Sequence, residues 1–396
     1  VTDVLLFCFS AVLFSYSVPL VVNNPRYNAR MSLTAMLRQL AGGRPLSEAQ
    51  ARQAFALVMS GQATGAQIGA MLMAMAARDG GPTVDEITGA ARAMREVAMK
   101  VVVPAGMEVI DTCGTGGDHT GTFNISTTAA IIAAAAPAMA DRGMAVAKHG
   151  NRSVTSKSGS SQVLEQLGVP PEAGPEAGPE AGPEVLTRCL TEARICFCFA
   201  PAHHPAMKHA ADPRKELGFR TLFNLLGPLT NPAGVRRQVI GVYDAALTEK
   251  IAEVLKRLGT VHAMVVHGTT LGGPDVTEGG VGLDELTTTG PTRVTELKDG
   301  AITTRQLHPA DLGLATVTVG QLRVEGVEES AAMIRRILDG EKGPARQIAA
   351  LNAAAALVVA DCAKDLSQGL DLAFEAIDSG AAKRTLALLV KLTNED

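Results

Sequence analysis

Glu108-Val-Ile-Asp-Thr-Cys-Gly-Thr-Gly-Gly-Asp118 runs a short apolar segment straight into a glycine-rich turn. From there on, short β-prone runs alternate with alanine-rich stretches: Met144-Ala-Val-Ala147, Ile195-Cys-Phe-Cys-Phe199, Gln238-Val-Ile-Gly-Val-Tyr243 and His262-Ala-Met-Val-Val266. Strand–helix alternation at this spacing predicts a mostly parallel sheet covered by helices. Ligands of such sheets sit beyond the carboxyl ends of the strands, so the loops after the strands are where chemistry is expected. Upstream the pattern is different. Leu33, Met36, Leu37 and Leu40 repeat at helical spacing and stop at Gly42-Gly43. Ser47 with Gln50, and Thr83 with Glu86, read as capping boxes of two further helices, and residues 65–77 supply another. The fold class is therefore α/β, with a small all-helical domain followed by a larger α/β domain built on a mostly parallel central sheet.

Composition narrows the function. In 396 residues, 46% are hydrophobic and 19% charged, which supports two or three folded units. Aromatics make up 3% with no Trp, which argues against base-stacking platforms. A net charge of −4 argues against a broad phosphate-backbone footprint, so no nucleic-acid partner is expected. Cysteines at 8, 113, 189, 196, 198 and 362 form no CxxC pair, and Cys196 and Cys198 stand too close for a zinc knuckle. They read as reduced buried thiols of a cytoplasmic protein. Residues 4–22 are uncharged and apolar, long enough for a marginal span or a signal segment. No Lys or Arg precedes them and Pro19 lies near their end, while Met31 opens an amphipathic helix. The preferred reading starts translation at Met31, leaving residues 1–30 as an extension outside the native protein; a membrane anchor is the rival. Residues 171–182 repeat Pro-Glu-Ala-Gly and read as an exposed loop expansion.

Four segments carry chemistry. The glycines of 111–118 let backbone N–H groups approach a phosphate without Cβ obstruction, though the loop is neither a Walker loop nor a dinucleotide fingerprint. Asn124-Ile-Ser-Thr127 leads into an alanine-rich helix over 128–136. Its hydroxyls suit either helix capping or an anion site. Lys148-His-Gly-Asn-Arg-Ser-Val-Thr-Ser-Lys-Ser-Gly-Ser160 gathers three cations and five hydroxyls in thirteen residues with no carboxylate, the make-up of a polyphosphate cradle. Asp284-Glu285 reads either as wet surface or, beside a pyrophosphate, as a pair of Mg²⁺ ligands. His203-His204 lacks a third metal ligand at suitable spacing, and the metal reading is rejected. Arg214 and Arg220 suit ion pairs with Glu216, helix caps, or a bidentate grip on a carboxylate.

Taken in order, DTCGTGGD, NIST, KHGNRSVTSKSGS, FAPAHHPAMKHA, RKELGFRTLFNLLGPLTNPA, GLDELTTTGPT and Asn352-Ala-Ala-Ala-Ala-Leu357 resemble anthranilate phosphoribosyltransferase from about Met31 almost to the C-terminus. The resemblance implies transfer of the phosphoribosyl group of 5-phosphoribosyl pyrophosphate (PRPP) to the amine of anthranilate. The products would be N-(5-phosphoribosyl)anthranilate and pyrophosphate, in a Mg²⁺-dependent step of tryptophan biosynthesis. It implies a homodimer joined through helical domains spanning 31–104 and rejoined by about 206–230, with 105–205 and 231–396 forming the α/β domain. Carried over by position, Gly114, Gly117, Asp118, Thr122, Asn124, Ile125, Ser126 and Thr127 would contact PRPP. So would Lys148, His149, Gly150, Asn151, Arg152, Ser153, Val154, Thr155, Ser156 and Ser160. Ser126, Asp284 and Glu285 match the metal ligands; Gly114, Asn151 and Arg214 match the anthranilate contacts; Lys148, His149 and Arg214 are the catalytic candidates. The chain departs from the family in a longer stretch around 137–143, in Gln162 where Asp is usual, and in the Pro-Glu-Ala-Gly array. A pyrimidine nucleoside phosphorylase-like enzyme is the alternative, although its phosphate loop reads differently from KHGNR. A second alternative is a non-catalytic, nucleic-acid-binding relative.

Overall fold

A computed structural model describes residues 32–152, 158–171, 182–270 and 282–395. The helical layer starts with α1 (Leu33–Ala41), α2 (Glu48–Met59), α3 (Gly65–Ala76) and α4 (Val84–Val97). Both expected capping boxes form, and Thr64 with Gln67 makes another ahead of α3. Glu86 does more than cap. Its fully buried carboxylate also accepts from the Leu46 N–H at 3.0 Å and from Arg78, tying the α1–α2 loop to α4. Gly89 lets α4 lie against α2 backbone to backbone, because a Cβ there would stand 2.3 Å from the Glu48 carbonyl oxygen.

The α/β part continues with β1 (Glu108–Gly114), α5 (Ile125–Ala135), α6 (Pro137–Asp141), β2 (Met144–Gly150), α7 (Ser160–Gln166), α8 (Gly182–Arg188), β3 (Ile195–Phe199) and α9 (Ala200–His203). Next come α10 (Lys208–Leu217), α11 (Phe223–Leu229), β4 (Arg237–Gly241), α12 (Leu247–Arg257), β5 (His262–Thr269), β6 (Gly282–Leu283), β7 (Thr292–Lys298) and β8 (Ala301–Leu307). The chain closes with α13 (Val327–Leu338), α14 (Pro344–Val359), α15 (Leu366–Asp378) and α16 (Ala381–Asn394). The sheet order is β3-β2-β1-β4-β5-β7-β8, with β6 pairing β5. The first five strands of that order are parallel; β6 and β7 run antiparallel to β5, and β8 antiparallel to β7. The β7–β8 hairpin turns at Asp299-Gly300, both at positive φ, the geometry for which an Asp-Gly pair is suited.

The stretch expected to be longer than usual forms α6, whose Met139 is fully buried beside β2, so these residues are packed rather than looped out. α14 buries its whole alanine run against α5 and α15, where small side chains let three helices approach closely. After β3 the chain returns to the helical layer: α10 packs on α3 and α2, and α11 on α4. The Phe223 ring of α11 meets Phe55 of α2 at 5.4 Å. The five described cysteines are free thiols, and burial pushes Cys189 up to about 12 and Cys362 up to about 11. No described helix is long and apolar enough to cross a membrane. The apolar stretch at 4–22, Cys8, and the Pro-Glu-Ala-Gly array over 172–181 lie outside the described residues.

Candidate active site

Strands β1 and β2 end side by side, and the candidate residues gather around their carboxyl ends. Lys148 is 3% exposed and puts its Nζ 2.7 Å from the Thr112 carbonyl and 3.4 Å from Ser126 Oγ. A buried ammonium needs such partners, because an unpaired one loses its solvation. Behind it lies Asp111, fully buried, accepting from the His149 N–H at 3.1 Å and from Asn231 Nδ2 at 2.8 Å. Burial raises its carboxyl above the ordinary range, against the opposing pull of Lys148 and these hydrogen bonds.

Asp284 and Glu285 are half-buried and bonded to the residues around this end of the sheet, which speaks against the wet-surface reading. Asp284 Oδ2 accepts from the Gly116 N–H at 2.6 Å, and Glu285 Oε1 from the Ser126 N–H at 3.1 Å. The second bond corrects the expected capping of α5. The helix begins at Ile125 rather than Thr128, its N-cap Asn124 makes no side-chain cap bond, and a carboxylate from a distant loop takes an orphan N–H instead. Two glycines make room for that loop: a Cβ on Gly241 would fall 1.5 Å from the Asp284 carbonyl oxygen, and one on Gly114 2.1 Å from Asp284 Oδ2. From the core side, Asn352 grips the backbone of Leu286. Its Oδ1 accepts from the Leu286 N–H at 3.0 Å, and its Nδ2 donates to the Leu286 carbonyl at 2.8 Å and to that of Ile348 at 2.9 Å. Desolvation, then the nearby charge of Asp118, pushes Asp284 up to about 7. Glu285 is raised well above its usual value by desolvation and by Asp284. Carboxylates crowded in this way, next to a serine hydroxyl, form a hard-oxygen donor set that suits Mg²⁺. Among the described residues no three His, Cys, Asp or Glu side chains group tightly enough to hold a metal unaided. Such a set fits a cation that keeps waters and takes further oxygens from a bound phosphate.

His149 follows Lys148 on β2, so its side chain leaves the opposite face of the sheet. Its Nδ1 lies 3.1 Å from the Gly227 carbonyl and its ring 5.3 Å from that of His204. Burial, then the neighbouring imidazoles, lowers its pKa to about 3, so the ring is neutral with Nδ1 donating to Gly227, and Nε2 is buried without a protein partner. His203 donates from Nδ1 to the Met99 carbonyl, 2.8 Å away, which gives it a structural partner. Arg214 does not pair with Glu216; its guanidinium lies 5.0 Å over the Phe223 ring. Phe223 and Gly227 both belong to α11, so the helix whose ring carries the Arg214 guanidinium also offers the carbonyl that meets His149.

The remaining candidates divide into rim and scaffold. Asn124 is committed to structure, accepting at Oδ1 from Ser158 Oγ (2.6 Å) and Ser330 Oγ (2.8 Å). The Ile125 and Thr127 side chains are buried in the protein, leaving only backbone for a ligand. Thr122 bridges Arg323, and Asp118 accepts from Thr120 Oγ1 at 2.8 Å. Gly150 admits Ser160, whose Oγ would lie 2.2 Å from a Cβ there and which binds Asn151 N–H at 3.2 Å. Asn151 and Arg152 are exposed, with the Arg152 guanidinium over Phe199. Ser153, Val154, Thr155 and Ser156 lie outside the described residues. Sequence reading passes over Asp111, Thr112, Asn231, Gly241 and the grip of Asn352. Of these, Gly241 alone carries a local signal, a glycine at a strand end.

The glycosyl transferase family helical bundle domain matches residues 34–98, and the glycosyl transferase family a/b domain matches residues 106–383. An anthranilate phosphoribosyltransferase of Thioalkalivibrio sulfidiphilus is 48% identical over 363 residues, covering 92% of this chain and 99% of the relative. Among solved structures, anthranilate phosphoribosyltransferase from Thermus thermophilus superposes with a TM-score of 0.79 at 38% identity, covering 91% of this chain and 99% of that one. The Saccharomyces cerevisiae enzyme, solved in complex with PRPP and Mg, gives a TM-score of 0.76 at 25% identity over 91% and 97% of the two chains. With a matching two-part architecture and near-complete coverage of these relatives, the chain belongs to the anthranilate phosphoribosyltransferase family.

Proposed function

We propose that this chain transfers the phosphoribosyl group of PRPP to the amine of anthranilate, releasing pyrophosphate, as a step of tryptophan biosynthesis. The observation that carries the reading is the meeting of the Lys148 ammonium, the first turn of α5 and the Asp284–Glu285 carboxylates at the carboxyl end of β1 and β2. The glycine loop and the α5 N-terminus meet PRPP oxygens with the backbone N–H groups that Gly241, Asp284 and Glu285 do not already take. Ser126, Asp284 and Glu285 would hold Mg²⁺, which would supply neutralising charge to the departing pyrophosphate. Lys148 holds positive charge at the same place.

Arg214 pairs with the anthranilate carboxylate and aims the amine at the ribosyl carbon. An arylamine is neutral at pH 7 and attacks through its lone pair, so the reaction needs no strong general base. His149, kept neutral by burial, fits that requirement by adding no charge beside the aromatic ring. Residues 31–104 with 206–230 act as a lid over 105–205 with 231–396, excluding water from an oxocarbenium-like transition state. The helical layer leaves Met73 49% exposed on α3, and a second copy of the chain covers that face in a homodimer. The test follows loss of anthranilate fluorescence with PRPP, with and without Mg²⁺ or EDTA. Consumption that requires both supports the reading; an inert chain, or one cleaving thymidine with phosphate instead, overturns it.

A further inference from the structure

Three consecutive residues of the glycine loop are fastened in three different ways. The Thr115 N–H donates to the Gly241 carbonyl at 2.9 Å, and Thr115 Oγ1 accepts from the Tyr243 N–H at 3.2 Å. The Gly116 N–H donates to Asp284. The Gly117 carbonyl accepts from the guanidinium of Arg220, whose Cζ lies 4.2 Å from the centroid of the Tyr243 ring. Gly117 has a φ of 79°, and a Cβ there would stand 3.2 Å from both Nε and Nη2 of Arg220, so backbone shape and the guanidinium's approach both ask for glycine. The first two ties come from within the α/β part. The third comes from the chain between α10 and α11, which packs on the helical layer.

We propose that Arg220 is a positioning residue for the PRPP site, a pin that fixes the Gly117–Asp118 peptide and makes the phosphate loop depend on the returning segment. The proposal rests on the function given above. In a trans peptide the carbonyl and the following N–H point opposite ways, so holding the Gly117 oxygen toward Arg220 fixes the direction of the Asp118 N–H. A hollow of about 280 Å³ adjoins Arg220 and Tyr243 and is lined also by Gly80, Thr221, Leu225 and Lys250. With that space beside it, the guanidinium is located by the Tyr243 face and the Gly117 oxygen rather than by close packing. Lysine would keep a donor but lose the guanidinium's contact with the Tyr243 face.

Calorimetric titration of the full chain with Mg²⁺ and PRPP, in parallel with steady-state kinetics, tests this. Arg220→Ala should raise the PRPP Kd and KM about tenfold or more, as expected for one charge-assisted hydrogen bond, while the anthranilate KM stays within about twofold. Arg220→Lys should fall between it and the parent, and Tyr243→Leu should weaken PRPP binding in the same direction. Combining Arg220→Ala with Tyr243→Leu should cost less than the sum of the two. PRPP binding unchanged in both Arg220 variants, or anthranilate and PRPP KM rising together, overturns the assignment. A parent chain that binds no PRPP sinks the functional reading instead, so the two failures are distinguishable.

Discussion

Replacing Asn352 with Ala removes three buried hydrogen bonds at once, two of them to the backbone of Leu286 directly after the Asp284–Glu285 pair. Leu286 is fully buried, so its N–H and carbonyl lose their partner without gaining water. At about 1–3 kcal/mol for each orphaned group, the change should cost about 2–6 kcal/mol. In a cooperative unit of this size about 1–2 °C of Tm accompanies each kcal/mol, which predicts a fall of about 2–12 °C. Asn352→Leu, close in volume, should lose a similar amount, separating the hydrogen bonds from a cavity effect. Because the same grip holds the carboxylate loop, the Mg²⁺ concentration for half-maximal activity should also rise in both variants. Thermal denaturation with parallel Mg²⁺ titrations of activity measures the two effects. A Tm within about 1 °C of the parent would show that Leu286 finds other partners and that the reasoning from orphaned groups is wrong.

Arg214→Ala should raise the anthranilate KM about tenfold or more and the PRPP KM by less than about twofold; equal changes in steady-state kinetics would remove its assigned role. Lys148→Met, which keeps the buried stem but not the charge, should lower kcat about 10²–10³-fold, and a loss under about tenfold would count against the ammonium as a stabiliser of departing charge. His149 titrates at about 3 when folded and near ~6.5 when unfolded, so the stability it contributes is present above ~6.5 and is lost as pH falls toward 3. Between pH 6 and 4.5 the parent should therefore lose about 1.4 kcal/mol per pH unit more than His149→Gln in urea denaturation; parallel slopes would contradict a neutral buried imidazole.

Much of this molecule was legible because local rules and tertiary packing agree. Ser47, Thr83 and their partners three residues on start helices where expected, and each quoted apolar run from Glu108 to Val266 became a sheet strand. The β7–β8 hairpin escaped notice although Asp299-Gly300 marks it, because Thr292–Lys298 and Ala301–Leu307 carry many polar residues on their exposed face. At the site, Lys148 and the carboxylate pair could be singled out by residue type and company. Their mutual placement could not, since Ser126 meets Glu285 across 159 residues of chain. Asn352 and Asp111 look like ordinary polar residues in their own segments, and only burial beside a distant backbone gives them work. Asn124 shows the converse: its motif points to a ligand, while its side chain is spent on Ser158 and Ser330.

Lys148 and His149 are joined by a single peptide bond, yet one looks toward α5 and the other toward α11. The spacing between these two groups is thus set by a covalent link within one strand. The offset between these two neighbours travels with β2 as a unit. Drift in that offset would require the strand itself to slip, and its parallel partners on both sides resist that.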